Sequence, residues 1–312
     1  MFTLDELEAA ESLVRRHFPG TPQYAWPLLA QRAGCEVWVK HENHTPTGAF
    51  KVRGGLTYFE NLQSRGVISA TRGNHGQSLA YAGAKADIPV TIIVPIGNSA
   101  EKNAAMRALG ATLIEHGADF DVARQYARQL AGELGLDFAP SFAPDLVRGV
   151  ATYALELFRN APPLDALYVP IGLGSGICGC IMARDLLGLS TEIIGVQSAG
   201  ADAYARSFAA GHVIETAHAV TLADGMATRI PDPAALAMIL KGAARIVTVS
   251  DDEVRDAIRA YWTDTHNLAE GAGAAPFAAL MQERESMAGK RVATILCGGN
   301  IDLALFREWV LG

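Results

Sequence analysis

Between residues 66 and 142, strand-like segments alternate with helix-like segments, and this alternation limits the possible folds more than any other feature. Strands are predicted over Val67–Ala70, Val90–Val94 and Ala111–Ile114, and helices over Gly76–Lys85, Glu101–Leu109 and Asp121–Leu134. Every residue of Val90–Val94 is β-branched, which is typical of a strand covered on both faces. The pattern therefore predicts βαβ units that form a small domain with a parallel sheet, residues 66–142.

The remaining residues, 1–65 plus 143–312, are predicted to form a larger domain of the same kind. Its clearest strands are expected over Ala166–Pro170, Glu192–Val196 and Val292–Leu296. An amphipathic helix over Leu4–Phe18 could pack on this body or on a partner subunit. The predicted fold class is thus α/β, with two doubly wound open sheets. A ligand between them would lie beyond the carboxyl ends of the strands, where the polar motifs fall.

The composition excludes several classes of protein. The 312 residues are 50% hydrophobic and carry a net charge of −7, so no nucleic-acid partner is expected. The N-terminus lacks the basic and apolar regions of a signal peptide, and no apolar run is long enough to span a membrane. The four cysteines form no Cys-x-x-Cys pair, which favours reduced thiols in a cytoplasmic protein. They are Cys35, Cys178, Cys180 and Cys297.

One lysine follows a polar turn and opens a predicted helix. The turn contains Pro46 and Gly48, and the helix is expected over Ala49–Thr57. Lys51 therefore lies near the positive end of a helix dipole, which favours the neutral form of its amine. A neutral amine is the form that makes a Schiff base with an aldehyde cofactor, so Lys51 is the candidate catalytic residue.

The segment around this lysine, PTGAFKVRG from Pro46 to Gly54, resembles the cofactor-lysine motif of the serine/threonine dehydratases. Those proteins are pyridoxal-phosphate (PLP) enzymes of fold type II, with a tryptophan synthase β-like fold. The resemblance implies that Lys51 and Phe50 bind PLP in the cleft between the two domains. Three further motifs follow in the family's order.

The second motif is Thr71-Arg-Gly-Asn-His-Gly-Gln77, directly after a predicted strand. A glycine lets the backbone approach a ligand, and backbone amides at a helix start bind anions. The motif resembles the family loop that binds the substrate's α-carboxylate. The resemblance implies substrate binding by Thr71, Arg72, Gly73, Asn74 and His75, with Asn74 also touching the cofactor.

Arg72 departs from the Ser or Ala that is commoner in the family. In the similar serine racemases that Ser is the second acid/base, so Arg72 argues against racemisation as the main activity. We hypothesise that Arg72 pairs with an anionic group of the substrate. The alternative is a surface arginine that points away from the site.

The third motif, Gly172-Leu-Gly-Ser-Gly176, follows a predicted strand. Glycines leave backbone N–H groups open, and the helix that follows adds its dipole, which together suit a phosphate. The motif resembles the family's polyglycine phosphate loop, from which it departs at Leu173 and Ser175. The resemblance implies cofactor binding by five residues, Gly172, Leu173, Gly174, Ser175 and Gly176.

The fourth motif, Leu296-Cys-Gly-Gly-Asn300, follows the last predicted strand. The resemblance places Cys297 against the pyridine nitrogen, where a neutral partner favours elimination and disfavours transamination. An ordinary buried thiol is the alternative. Two lesser matches, Ala223-Asp-Gly225 and Glu270, imply that Gly225 and Glu270 also line the cofactor.

No metal site of the family type is expected. Gln197 and Ala203 stand where the acidic ligands of related racemases should be, and a divalent cation needs charged oxygen ligands. A displaced site that uses Asp202 is the alternative. His41 and His44 are interpreted as loop residues without a third ligand.

The resemblance implies a PLP-dependent ammonia-lyase that dehydrates a β-hydroxy α-amino acid, with Lys51 as the base that removes the Cα proton. Serine and threonine are the default substrates. Arg72 and the diverged phosphate loop suggest a less usual 3-hydroxy amino acid, such as 3-hydroxyaspartate, phenylserine or a hydroxylated diamino acid. The alternatives are racemisation, a non-catalytic PLP or amino-acid sensor, and β-replacement, which His75 disfavours. No regulatory domain is expected after Cys297. A homodimer is expected, and the N-terminal helix would suit its interface.

Overall fold

Two sheets organise the chain in the computed structural model, which describes residues 1–311. The strands of the described residues are β1 (Gln23–Ala25), β2 (Glu36–His41), β3 (Val67–Ala70), β4 (Val90–Val94), β5 (Thr112–Glu115), β6 (Asp137–Phe138), β7 (Ala166–Pro170), β8 (Glu192–Ser198), β9 (Ala243–Val249) and β10 (Arg291–Leu296). The larger sheet has the order β1-β2-β10-β7-β8-β9, and the smaller β5-β4-β3-β6. All neighbouring strands are parallel except β1 and β2.

Helices cover both sheets. They are α1 (Leu4–Arg15), α2 (Pro27–Ala33), α3 (Lys51–Phe59), α4 (Asn74–Ala86), α5 (Ala100–Ala108), α6 (Phe120–Leu134), α7 (Pro144–Asn160), α8 (Ser175–Leu186), α9 (Ala203–Ala210), α10 (Pro233–Gly242), α11 (Asp251–Thr265), α12 (Gly271–Gln282) and α13 (Leu303–Phe306). Short helical turns are Glu42–His44, Asp224–Met226 and Arg307–Leu311. Among the described residues, no helix combines the length and apolarity needed to cross a membrane.

Side-chain alternation along β4 explains how the smaller sheet is buried on both faces. Val90, Ile92 and Val94 pack with residues of α3 and α4 on one face. Ile93 points the other way and packs with alanines of α6. A strand that is apolar on both sides can be stable only between two helical layers, as the sequence pattern indicated.

Three of the motifs follow the carboxyl ends of strands, one in the smaller sheet and two in the larger. β3 ends immediately before Thr71, and β7 ends shortly before the loop 172–176. In the larger sheet β10 lies between β2 and β7, so the residues after β10 adjoin that loop. The order of the larger sheet therefore brings the motifs after β7 and β10 to one edge, as expected of an open α/β fold.

The strands β3, β4 and β7 have the predicted bounds, and the helices of the small sheet agree within two residues. The strands β1, β6 and β9 were not predicted. The predicted division at residues 66 and 142 remains a proposal. Val52, Leu56 and Phe59 of α3 precede the division but pack with the smaller sheet.

The N-terminal helix α1 ends at Arg15, earlier than predicted. Its capping box joins the Thr3 side chain to the Glu6 backbone and the Glu6 carboxylate to the Thr3 backbone. Its apolar side chains are buried inside the chain, chiefly against α7, and they are Leu7, Ala10, Leu13 and Val14. This face is therefore not available to a partner subunit, and the expectation that it suits a dimer interface is wrong.

Candidate active site

Lys51 is the first residue of α3, where the predicted turn becomes a helix. Its Nζ donates a hydrogen bond to Ser175 Oγ at 2.8 Å and lies 5.0 Å from the centre of the Phe50 ring. Burial lowers the pKa of Lys51 to about 8. The direction is the one predicted for this amine, and its largest cause is the loss of water around the charge.

Backbone contacts hold the lysine segment against the end of β10. Phe50 N donates to Cys297 O at 2.9 Å, and Ala49 forms a single antiparallel bridge with Gly298. The buried Cys297 thiol has a pKa well above its usual value, because burial and the nearby Glu270 both disfavour a thiolate. A neutral thiol therefore lies close to the Lys51 amine.

The loop after β7 forms a cradle of backbone donors. The N–H groups of Gly172, Leu173 and Gly174 have no hydrogen-bond partner among residues 1–311. Ser175 then opens the twelve-residue helix α8, whose first N–H groups also point out of the helix. A side chain at Gly172 would collide with the carbonyl oxygen of Gly225, so these two glycines lie together. The arrangement suits an anionic phosphate beside the amine of Lys51.

A polar network joins three of the motifs. Asn74, the first residue of α4, donates from Nδ2 to Glu270 Oε1 at 2.8 Å, and its Oδ1 accepts from Asn300 Nδ2 at 2.8 Å. Asn300 Nδ2 also donates to Thr47 O at 2.8 Å. A side chain at Gly298 would come within 2.6 Å of Glu270 Oε1, which explains a glycine at that position.

Glu270 itself is buried, and its Oε2 has no hydrogen-bond partner among the described residues. Burial raises the pKa of Glu270 to about 7, and the charge of Asp224 acts in the same direction. Lys102 and the hydrogen bond from Asn74 oppose these effects. A carboxyl group that titrates near neutral pH is typical of functional sites.

The loop Thr71–Gly73 follows β3 and turns into α4. Gly73 N donates to Thr71 Oγ1 at 3.1 Å, which fixes the turn. His75 is buried, and its Nε2 has no partner among residues 1–311. Burial and the charge of Lys51 lower the pKa of His75 to about 3, so it is neutral. The predicted substrate loop thus adjoins the amine, as the sequence indicated.

Arg72 is exposed and lines a cavity of about 250 Å³ between the two sheets. The wall of this cavity includes Glu270 and Asn300, but neither Lys51 nor the loop 172–176. The guanidinium of Arg72 forms no ion pair with any described residue. The sequence left open whether Arg72 points away from the site, and the structure places it at the cavity.

The segments weighed as metal sites have other partners. Gln197 accepts a hydrogen bond from Ala205 N at 2.8 Å, and Asp202 pairs with Arg206 at 2.8 Å. No group of three or more His, Cys, Asp or Glu within residues 1–311 has a metal-binding arrangement. The interpretation of His41 as a loop residue is wrong: it ends β2, is buried, and accepts a hydrogen bond from Trp26 Nε1 at 2.9 Å. His44 lies in a short helical turn.

Three residues of this region were not proposed from the sequence. Asn300 and Asp224 lie within the motifs 296–300 and 223–225, so the sequence contains a signal for both. Lys102 gave no signal, because it is one of several polar residues on α5. It crosses the cleft to form an ion pair with Asp224.

The residues present fit pyridoxal phosphate. The structure brings together an amine with a lowered pKa, a glycine cradle with free backbone donors, and a neutral thiol. Glu270 Oε2 and His75 Nε2 are buried polar atoms without partners among the described residues. Buried polar groups normally have partners, so unpartnered ones in a cleft indicate a ligand site.

Comparisons with known proteins agree with this geometry. The family model described as "Pyridoxal-phosphate dependent enzyme" matches residues 14–298. L-threo-3-hydroxyaspartate ammonia-lyase of Saccharomyces cerevisiae is 30% identical, over 99% of this chain and 97% of the yeast protein. L-threonine ammonia-lyase of Thermotoga maritima is 32% identical, over 97% of this chain and 77% of that protein. Maize serine racemase superposes with a TM-score of 0.92 at 25% identity, over 98% of this chain and 96% of the maize chain.

Proposed function

Because the chain belongs to the family of pyridoxal-phosphate dependent enzymes, with their fold type II architecture, we propose that it is an ammonia-lyase. It converts a 3-hydroxy α-amino acid to a 2-oxo acid and ammonia, as the names of relatives similar over the full chain support. The observation that carries the proposal is the Lys51 amine, which lies 2.8 Å from Ser175 Oγ at the phosphate cradle.

Lys51 would both hold the cofactor and act as the base. Bound pyridoxal phosphate supplies an electron sink for negative charge at the substrate's Cα. Lys51 Nζ then removes the Cα proton, for which a pKa of about 8 is well suited near neutral pH. Five backbone N–H groups, those of residues 172–176, would hold the phosphate.

The loop Thr71–His75 would orient the substrate. Its backbone donors and the start of α4 suit the α-carboxylate, and neutral His75 adds no competing charge. With the Cα proton on Lys51, the Cβ–O bond breaks and the hydroxyl leaves as water after taking up a proton. The remaining enamine takes up water and gives the 2-oxo acid and ammonia.

Cys297 supports elimination over transamination. Its thiol is neutral, because burial and Glu270 raise its pKa well above the usual value. A neutral group at this position would not stabilise a positive charge on the ring nitrogen, unlike a carboxylate. The site therefore favours loss of a β-substituent.

The preferred substrate is proposed to carry a second carboxylate, as 3-hydroxyaspartate does. Arg72 faces the cavity with no ion-pair partner among the described residues, whereas the other cation of the wall, Lys102, is paired with Asp224. A charge-assisted hydrogen bond from Arg72 would select an acidic substrate over serine or threonine. The name of the yeast relative supports the same substrate class.

The test is release of ammonia and 2-oxo acid from a panel of 3-hydroxy amino acids. We expect Lys51→Ala to lower turnover by about 10³-fold or more, since it removes the base. Arg72→Ala should lower kcat/KM for 3-hydroxyaspartate by about 10- to 100-fold and leave serine turnover nearly unchanged. Arg72→Lys is the matched control that keeps the charge. Equal losses for both substrates would contradict the role of Arg72, and no turnover of any panel member would contradict the ammonia-lyase.

Racemisation is the second candidate, because the maize serine racemase superposes over nearly the whole chain. Arg72 in place of the second acid/base argues against it as the main activity. Chiral chromatography of serine after incubation with the enzyme decides between them. Formation of the enantiomer faster than ammonia would favour the racemase.

The proposal also includes a homodimer and a cytoplasmic location. All four cysteines are free and buried, which suits a reducing compartment. The dimer rests on the family resemblance. Light scattering of the purified protein measures its mass directly, and a monomer would contradict this part of the proposal.

A further inference from the structure

Polar and charged residues surround Glu270 on both sides of the cleft. It precedes α12 and is packed against the end of β10, where Cys297 Sγ lies 3.9 Å from its Oε1. Asn74 Nδ2 donates to the same Oε1 at 2.8 Å. The Oε2 atom is buried without a hydrogen-bond partner in the described part of the chain. An uncompensated buried carboxylate is costly unless a cation lies near it.

Lys102 comes from the other side of the cleft and lines the same cavity as Glu270 and Asp224. It belongs to α5, which covers the smaller sheet, and its ammonium pairs with Asp224 beside the larger sheet. The charges that face it are Asp224, Glu270 and Asp302, and they raise its pKa against the effect of burial. Lys102 is therefore a cation in this structure.

The Lys102 side chain also covers the substrate loop. A Cβ atom placed on Gly73 would come within 2.8 Å of Lys102 Cδ. Two hydrogen bonds hold this end of α5 against the larger sheet: Ser99 Oγ donates to Asp302 Oδ1 at 2.6 Å, and Leu303 N donates to Glu101 Oε1 at 3.0 Å. The position of Lys102 therefore depends on how closely the two sheets approach.

We propose that Lys102 is a positioning residue that reaches across the cleft into the cavity it shares with Asp224 and Glu270, and that it favours there the carboxylate form of Glu270, which holds the Asn74 amide in place. This inference rests on the proposed function, in which Asn74 belongs to the substrate and cofactor site. An ionised carboxylate accepts a stronger hydrogen bond than a neutral carboxyl group, so the Asn74 orientation is firm only while Glu270 is charged. The hydrogen bond that Asn300 Nδ2 donates to Asn74 Oδ1 then completes that orientation.

Two substitutions act on Glu270 in opposite directions. Lys102→Met removes the cation and leaves Asp224 facing Glu270, which should raise the pH at which Glu270 titrates by about one unit. Asp224→Asn removes the opposing negative charge, which should lower that pH. Lys102→Arg keeps the cation and should restore the wild-type midpoint. Lys241→Met, which removes an exposed lysine from α10, is the matched control for loss of a positive charge.

The measurement is an infrared titration of the holoenzyme, with Glu270→Gln as the reference that identifies the Glu270 carboxyl band. The acidic limb of the kcat/KM profile is measured in parallel and should shift with the band. In a Glu270→Gln background the Lys102→Met change should no longer shift that limb.

Opposite band shifts in Lys102→Met and Asp224→Asn support the inference. Shifts in the same direction, or no shift in either variant, overturn it. The band reports on Glu270 without turnover, so failure of this inference is distinguishable from failure of the ammonia-lyase, which would appear as absent product for every substrate.

Discussion

Lys51 and Arg53 lie two residues apart on α3, but their surroundings shift their pKa values in opposite directions. Arg53 is fully buried and donates from all three guanidinium nitrogens to carboxylates of Glu42 and Glu156, at 2.7 to 3.0 Å. Lys40 Nζ adds a further bond to Glu156 at 2.6 Å. Lys51 has a single hydroxyl partner, Ser175.

The pKa values follow these contacts. Burial disfavours the charge of Arg53, but Glu42 and Glu156 outweigh it and raise its pKa. Burial likewise opposes ionisation of Glu156, but Arg53 and Lys40 lower its pKa to about 2. On the other side of the helix the values move toward neutral pH, to about 8 for Lys51 and about 7 for Glu270.

The difference separates a structural charge cluster from a reactive one. Where buried charges have partners, as Arg53 and Glu156 do, the partners move both pKa values away from the physiological range, and both groups stay ionised. Where partners are missing, burial brings the pKa close to the working pH, and the groups can gain or lose protons. Lys51 is therefore suited to catalysis and Arg53 to stabilising the fold, although both are basic residues of one motif.

The largest effect on this comparison is expected from Arg53→Leu. The substitution leaves Glu42 and Glu156 buried with less positive charge, so the free energy of unfolding should fall by about 3–5 kcal/mol. Urea unfolding measures it. Arg72→Leu, an exposed arginine without an ion pair, is the matched control and should change stability little. A similar small loss for Arg53→Leu would remove the distinction between the two clusters.

A second prediction concerns acid. The pKa of Glu156 is lowered in the folded protein, so its contribution to stability is present above its unfolded value and is lost as the pH falls from about 4.5 to about 2. We expect the unfolding free energy to decline by about 3 kcal/mol over this window from Glu156 alone. Denaturant midpoints at several pH values test this, and Glu156→Gln should give a shallower decline. An equal slope in wild type and variant would contradict the prediction.

The smallest effect is expected from Lys51→Met in the cofactor-free protein, and it has the opposite sign. The pKa of Lys51 is lowered in the folded state, so keeping this amine buried costs stability below about pH 8. The variant should be more stable than wild type by about 1 kcal/mol at pH 7, since the side chain keeps some exposure. The advantage should fade as the pH rises from 8 toward 10.5. Thermal unfolding at both ends of this range checks the sign, and a less stable variant at pH 7 would be the contrary result.

Much of the fold was predictable from local sequence. Val67–Ala70, Val90–Val94 and Ala166–Pro170 were predicted with the observed bounds, because continuous apolar segments between turn residues have few alternatives. β9 was missed because its residues are of mixed exposure, and β6 because two residues show no periodicity. The use of the apolar face of α1 could not be decided, since a helix face packs equally well on its own chain or on a partner.

The sequence by itself determined where each motif lies relative to its strand or helix, because strand ends and helix starts depend on neighbouring residues. Lys51, Asn74 and Ser175 were therefore each placed correctly at the start of a helix or just before it. Only the tertiary structure decided which side chains meet and which are charged. Lys51 meets Ser175, 124 residues away, and Glu270 meets Asn74, 196 residues away. Burial sets their pKa values, and burial is a property of the packed chain that no local segment contains.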